Sequence, residues 1–65
     1  MLTLNIPAIS CEHCARVIRD TVLHLDPAAS VQVDVAARTA AIETRADAAI
    51  VQARLAEEGY PATPA

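Results

Sequence analysis

The sequence predicts an α+β domain of the ferredoxin-like type, in which two helices cover one face of a four-stranded antiparallel sheet. Three observations lead to this fold class. Short segments alternate apolar and polar residues, two longer segments repeat apolar residues at helical spacing, and together they follow the order β-α-β-β-α-β. No internal repeat or linker interrupts the 65 residues, so one domain spanning 1–65 is expected.

The first half of the chain predicts one strand and one helix. Residues Leu2–Ile6 alternate as in a half-buried strand, and Pro7 ends it because proline cannot donate to a neighbouring strand. Ser10 is expected to cap the helix that follows, and the pair Asp26-Pro27 to end it. One face of this helix carries Cys14, Ile18, Val22 and Leu25.

The second half predicts two strands, a helix and a short final strand. Residues Val31–Val35 and Ala40–Thr44 alternate, with a turn between them over residues 36–38. Asp47 is expected to cap the second helix, and Gly59 to close it in left-handed geometry. A short edge strand is predicted over Tyr60–Thr63. The inner face of the second helix carries Ala48, Val51 and Leu55.

Composition and charge argue against several classes of function. The net charge is −3 and Tyr60 is the only aromatic residue, so no basic or stacking surface for nucleic acid is expected. No apolar run approaches the ~20 residues that span a bilayer, and the first ten residues lack a secretory signal, which favours a cytoplasmic protein that is not membrane-embedded. The small size leaves no room for a catalytic cleft, so an enzyme is not expected. The start at Met1 favours a free chain.

Cys11 and Cys14 lie where the first strand passes into the first helix. Their spacing lets two sulfurs converge on one point, and the helix N-terminus favours thiolate over thiol. Two thiolates suit the soft ion Cu(I), whereas structural Zn(II) takes four ligands and the chain adds only His13 and the distant His24. A dithiol redox pair, or an inert reduced pair, remains an alternative to a metal site.

The run Ala8-Ile9-Ser10-Cys11-Glu12-His13-Cys14 resembles the Gly-Met-Thr-Cys-x-x-Cys loop of the heavy-metal-associated domain family, which includes small bacterial copper chaperones. Glu57-Glu58-Gly59-Tyr60 is similar to the closing Gly-Tyr of bacterial members. The resemblance implies that Cys11 and Cys14 bind Cu(I), with Tyr60 near the site, and that the ion passes to the metal-binding domain of a copper-transporting P-type ATPase. Ile9 stands where the family has a methionine that packs inward, and Ala8 where it has glycine.

Other residues beside the loop have two interpretations each. His13 is expected to be a solvated side chain, with the role of an extra ligand in a metal-bridged dimer left open; otherwise the protein is expected to be a monomer. Arg16 and Arg19 form either a solvated helix face or a docking surface for an acidic partner. The rival functions are a module for another metal (Zn, Hg or Cd) and a dithiol redox protein.

Overall fold

A computed structural model describes residues 2–65 and confirms the predicted order of elements. The elements are β1 (Leu2–Asn5), α1 (Glu12–Leu25), β2 (Ser30–Asp34), β3 (Thr39–Glu43), α2 (Ala48–Glu57) and β4 (Thr63–Pro64). The four strands form one antiparallel sheet in the order β2-β3-β1-β4. This is the ferredoxin-like βαββαβ fold that the sequence predicts.

The register of the sheet aligns the apolar residues of neighbouring strands. Leu4 of β1 pairs with Ala40 of β3, and Ala40 in turn pairs with Val33 of β2. Because residues directly opposite each other share a face, this register gathers the apolar residues on one side of the sheet. Both helices contribute to the core that forms there. Its fully buried members are Leu4, Ile6, Ile9, Ile18, Val22, Ala40, Ile42, Val51 and Leu55.

The start of α1 differs from the prediction. The residue at the N-cap is Cys11, with φ −163° and ψ 175°, and its side chain makes no capping hydrogen bond. The expected cap, Ser10, lies one residue too early, and its hydroxyl contacts Cys14 Sγ instead. Since a thiol is a weak hydrogen-bond acceptor, the helix begins without a side-chain cap. Asp47 caps α2 as predicted, because its side chain accepts from the Ala49 N–H at 2.9 Å.

The final strand also differs from the prediction. It covers Thr63–Pro64 and pairs with β1, whereas Tyr60–Thr63 was expected. The chain is still completing the end of α2 at Tyr60, whose N–H donates to the Leu55 carbonyl at 2.8 Å. Gly59, at φ 87°, donates to Ala56, as predicted for a glycine that closes a helix in left-handed geometry. Because of this closure, the last strand begins three residues later than predicted.

Two hydrogen-bonded connections hold the ends of β1 and α1, the two elements that flank the cysteine loop. The Arg38 carbonyl, in the turn between β2 and β3, accepts from the Ile6 N–H at 2.8 Å where the chain leaves β1. At the other end of α1, Asp26 Oδ2 accepts from Thr44 Oγ1 at 2.7 Å and from the Arg45 N–H at 3.2 Å. Asp26 therefore joins the end of α1 to the segment that leads into α2. In residues 2–65 no helix is long and apolar enough to cross a membrane.

Candidate metal site

Two buried isoleucines anchor the loop that carries the cysteines. Ile6 and Ile9 have no solvent exposure, and the Ile9 N–H donates to the Ile6 carbonyl at 3.0 Å. The residues between them, 7 and 8, are exposed. Ile9 packs in the core, which is the place that the resemblance implied for it. The loop is thus held in place just before Cys11, so the packing of Ile6 and Ile9 in the core determines the position of Cys11.

The two sulfurs lie close together but in different surroundings. Cys11 Sγ and Cys14 Sγ are 3.8 Å apart and neither is in a disulfide. Cys11 is exposed, whereas Cys14 is only 7% exposed. With two bonds as long as a zinc–sulfur bond, about 2.3 Å, a linear S–metal–S arrangement spans roughly 4.6 Å. A separation change of less than about 1 Å would therefore admit one ion between them.

The pKa of the Cys14 thiol is lowered from its ordinary value of 9.0 to about 6. Hydrogen bonding by the Tyr60 hydroxyl is the largest cause, and the backbone N–H and the hydroxyl of Ser10 follow; burial opposes them. The side-chain contacts of Cys14 Sγ that meet hydrogen-bond geometry are Ser10 Oγ at 3.7 Å and Cys11 Sγ at 3.8 Å, and the Tyr60 hydroxyl is not among them. The lowered pKa favours the Cys14 thiolate, the form that binds metals.

The Cys14 thiol in turn shifts the pKa of Tyr60. Its pKa is raised, first by hydrogen bonding to Cys14 and then by partial burial and the nearby negative charge. The raised pKa favours the protonated hydroxyl. The sequence placed Tyr60 near the cysteines only through the resemblance, and in the structure the pKa values of Tyr60 and Cys14 influence each other.

His13, Arg16 and Arg19 lie outside the sulfur pair. All three are exposed and line a shallow hollow on α1, together with Glu12 and Ala15. Within the part of the chain that the structure describes, no three His, Cys, Asp or Glu side chains gather as a metal site. The cysteine pair is thus a two-donor arrangement, and His13 does not complete it. The only ion pair within residues 2–65 is Arg54–Glu57, so Arg16 and Arg19 are not paired to a carboxylate.

Ser10 is the site residue whose contact the sequence reasoning missed. Serine before a helical pattern is the usual sign of a helix cap, and that interpretation took precedence. The spacing of four residues between Ser10 and Cys14 could have suggested the contact, but only once Cys11 was known to be the N-cap. Whether Ser10 caps the helix or contacts Cys14 depends on a shift of one residue in the helix start. Hydrophobic periodicity does not resolve so small a shift.

The chain is similar to one known domain family and to several solved structures. The family model for the heavy-metal-associated domain matches residues 3–61. No curated protein sequence matches the chain. Among solved structures, a gold-binding protein shares 31% identity, with all of both chains covered and a TM-score of 0.96. A copper chaperone Atx1 from Synechocystis PCC6803 (a His61Tyr mutant) shares 28%, with 97% of this chain and 100% of that one covered and a TM-score of 0.92.

A more distant structure supports the fold alone. Oxidized MerP from Ralstonia metallidurans CH34 shares 21% identity, with 97% of this chain and 92% of that chain covered and a TM-score of 0.81. The family model, by contrast, covers most of the chain, including the cysteine loop and Tyr60. Such domains characterise metal-binding and metal-trafficking proteins, not an enzyme family. The chain belongs to the heavy-metal-associated domain family and has the fold of the Atx1 copper chaperones.

Proposed function

We propose that this protein is a cytoplasmic metallochaperone that binds one Cu(I) ion between Cys11 and Cys14 and passes it to the metal-binding domain of a copper-transporting P-type ATPase. The observation that carries the proposal is the sulfur pair itself. Two free cysteines lie with their sulfurs 3.8 Å apart at a helix start, one exposed and the other buried with a lowered pKa. The protein is proposed to act by carrying an ion and not as an enzyme.

The number of donors favours Cu(I) over zinc. Soft thiolates suit Cu(I), which two of them can hold, whereas zinc sites are almost always four-coordinate. No third metal-binding side chain joins the pair in residues 2–65. The 28% identity to a copper chaperone points in the same direction. The runner-up function is a module for another thiophilic ion, because the gold-binding protein is similar over its whole length.

The difference between the two sulfurs suggests how the ion could leave. Cys11 is exposed, so a thiolate of the partner can approach an ion held there. The incoming sulfur forms a third bond to the ion, one bond to this chain then breaks, and a second exchange completes the transfer. The ion keeps its charge and oxidation state throughout. Tyr60 and Ser10 stabilise the Cys14 thiolate that remains after the ion has gone.

The exposed arginines suggest which partner surface meets the loop. Arg16 and Arg19 follow the cysteines along α1, in a hollow that also contains Glu12, on a chain whose net charge is −3. A local positive surface on an otherwise acidic protein steers an acidic partner toward that point. We therefore propose that the acceptor presents carboxylates beside its own thiolates. His13 is proposed to stay solvated during transfer, and Tyr60 to stay beside the site.

A competition titration tests the choice of ion and its ligands. The reduced protein is titrated with Cu(I), Zn(II) and Hg(II) against chelators of known affinity, and native mass spectrometry gives the stoichiometry. We expect one Cu(I) per chain and much weaker Zn(II) binding. Cys11→Ser and Cys14→Ser should each weaken Cu(I) binding greatly, while Ala36→Ser, which adds the same hydroxyl in the distant β2–β3 turn, should not.

The same experiment distinguishes the rival functions. Preferential binding of Hg(II) or Zn(II) would support a module for that metal instead of a copper chaperone. Cu(I) affinity that survives Cys11→Ser would remove the proposed ligand pair. A dithiol redox protein would instead show catalytic thiol–disulfide exchange with a model disulfide substrate, and Cu(I) loading would be incidental to it.

A further inference from the structure

The two edges of the sheet differ in how well they are protected. The edge strand β4 has two residues, one of them Pro64, and Pro61 precedes it closely. The opposite edge, β2, has five residues, no proline and a single charged residue, Asp34. Short length, proline and charge are the features by which edge strands avoid pairing with other chains. Only β2 therefore offers an edge on which a further strand can pair.

The sequence of β2 is complementary to itself when a second copy runs antiparallel to it. With Gln32 opposite Gln32, Ser30 lies opposite Asp34 and Val31 lies opposite Val33. Residues directly opposite share a face, so valines meet valines and polar side chains meet polar ones. The serine hydroxyl can donate to the aspartate, and the two glutamine amides can donate to each other. All five residues of each strand thus find a suitable partner.

The burial pattern supports the same register. Val31 and Val33 are half-buried against the core, and Ser30, Gln32 and Asp34 are exposed. In the same register, half-buried Ala29 and Val35, just outside the strand, also lie opposite each other and extend the apolar contact. A register that set Asp34 opposite its own copy would place like charges together, which is unfavourable.

We propose that β2 is a self-association edge, on which a second copy of this chain pairs antiparallel about a two-fold axis at Gln32. The product is a dimer with a continuous eight-stranded sheet. Because the same patch serves both copies and β4 is blocked, the assembly closes at two. One strand from each copy makes a small interface, so association is weak and depends on concentration. It needs no metal and goes beyond the proposed copper transfer.

Translational diffusion of the metal-free protein tests this proposal. NMR diffusion is measured from roughly 0.05 to 2 mM, a range that includes weak millimolar dissociation constants, with reductant and chelator present and salt at about 0.15 M to screen the net charge. We expect diffusion to slow toward the value of a dimer as concentration rises. Gln32→Glu puts two carboxylates across the axis and should weaken association at least tenfold, as should Gln32→Lys with two ammonium groups.

Mixing the two variants provides a result that misfolding cannot imitate. Equimolar Gln32→Glu and Gln32→Lys should restore association, because opposite charges then meet at the axis. Gln52→Glu makes the same change on α2 and should associate like the wild type. The proposal is overturned if wild-type diffusion is independent of concentration, if Gln52→Glu disrupts association as strongly as Gln32→Glu, or if the mixed variants stay monomeric.

Discussion

Cys11 and Cys14, the proposed ligands, have sulfurs 3.8 Å apart but differ in their surroundings. Cys14 is almost buried, and the neighbouring Tyr60 and Ser10 stabilise its thiolate. Cys11 is exposed, and an incoming ligand can reach it. An ion bound as proposed would thus have one buried ligand and one exposed ligand, and a partner could reach it through the exposed one. The spacing of the cysteines predicted their convergence, but spacing alone does not show which sulfur is buried.

Replacing Tyr60 tests the origin of the Cys14 thiolate. In Tyr60→Phe the pKa of Cys14 should rise from about 6 toward its ordinary value of 9.0, because the largest stabilising interaction is lost. Ser10 remains, so the rise should be partial. The ultraviolet absorbance of the thiolate, followed against pH in the Cys11→Ser background, measures this pKa. An unchanged titration would show that the tyrosine hydroxyl does not act on the thiolate.

The same thiol makes the stability of the metal-free protein depend on pH. In the folded protein Cys14 loses its proton at a pKa of about 6, against an ordinary value of 9.0. Between these values the unfolded chain binds more protons, so the free energy of unfolding should rise with pH across this interval, and this contribution should vanish below it. Denaturant unfolding at several pH values measures the slope. Cys14→Ser should lose it, and a slope that survives would contradict the assignment.

The elements could be predicted from sequence wherever periodicity is strong. Alternation in β2 and β3 and the apolar face of α1 indicate their structures directly, since each has one side in the core. The last strand could not be placed correctly, because hydrogen bonds from Gly59 and Tyr60 to α2 decide where it begins. These interactions involve backbone groups, and a pattern of side chains carries little information about them.

The loop between β1 and α1 depends on Ile9, which can be tested against a matched residue. Ile9→Ala should lower the free energy of unfolding by roughly 2–5 kcal/mol, the usual cost of truncating a buried isoleucine. Ile50 is 52% exposed, so Ile50→Ala should cost no more than about 0.5 kcal/mol. Denaturant unfolding measures both. Ile9→Ala should also weaken Cu(I) binding, and equal effects of the two substitutions would contradict the anchoring role.

Asp26 joins two elements and should do so best when ionised. Hydrogen bonds from Thr44, Arg45 and Ala28 lower the pKa of its carboxyl, with Thr44 the largest cause. A lowered pKa in the folded state contributes stability above the ordinary pKa, and this is lost as pH falls through the folded value. Asp26→Asn should therefore lower the melting temperature at neutral pH, and the difference should shrink in acid. Glu43→Gln, on the neighbouring strand, serves as the control.

At the scale of the whole molecule, charge is distributed unevenly around a small core. Arg16 and Arg19 lie beside the cysteine loop, whereas the total charge is −3. Composition argued against nucleic-acid binding but could not show where the few arginine side chains lie on the folded protein. Their exposed place on α1, in the same hollow as Glu12 and His13, follows from the fold.

Reversing these charges tests the docking surface. Arg16→Glu with Arg19→Glu should slow Cu(I) transfer to an acidic acceptor domain about tenfold or more at low salt. The difference should diminish at high salt, where charges are screened. Arg38→Glu with Arg45→Glu makes the same change in net charge elsewhere and is the control. Stopped-flow transfer rates that respond equally to both pairs would attribute the effect to net charge and not to this surface.

X-ray absorption at the copper edge, applied to the Cu(I)-loaded protein, tests the central claim most directly. The sulfur pair predicts two sulfur neighbours, no nitrogen neighbour from His13, and the same spectrum in His13→Ala. Cys11→Ser should lose one of the two sulfurs. A spectrum with three or four protein ligands, or one unchanged by Cys11→Ser, would contradict a site formed by Cys11 and Cys14 alone.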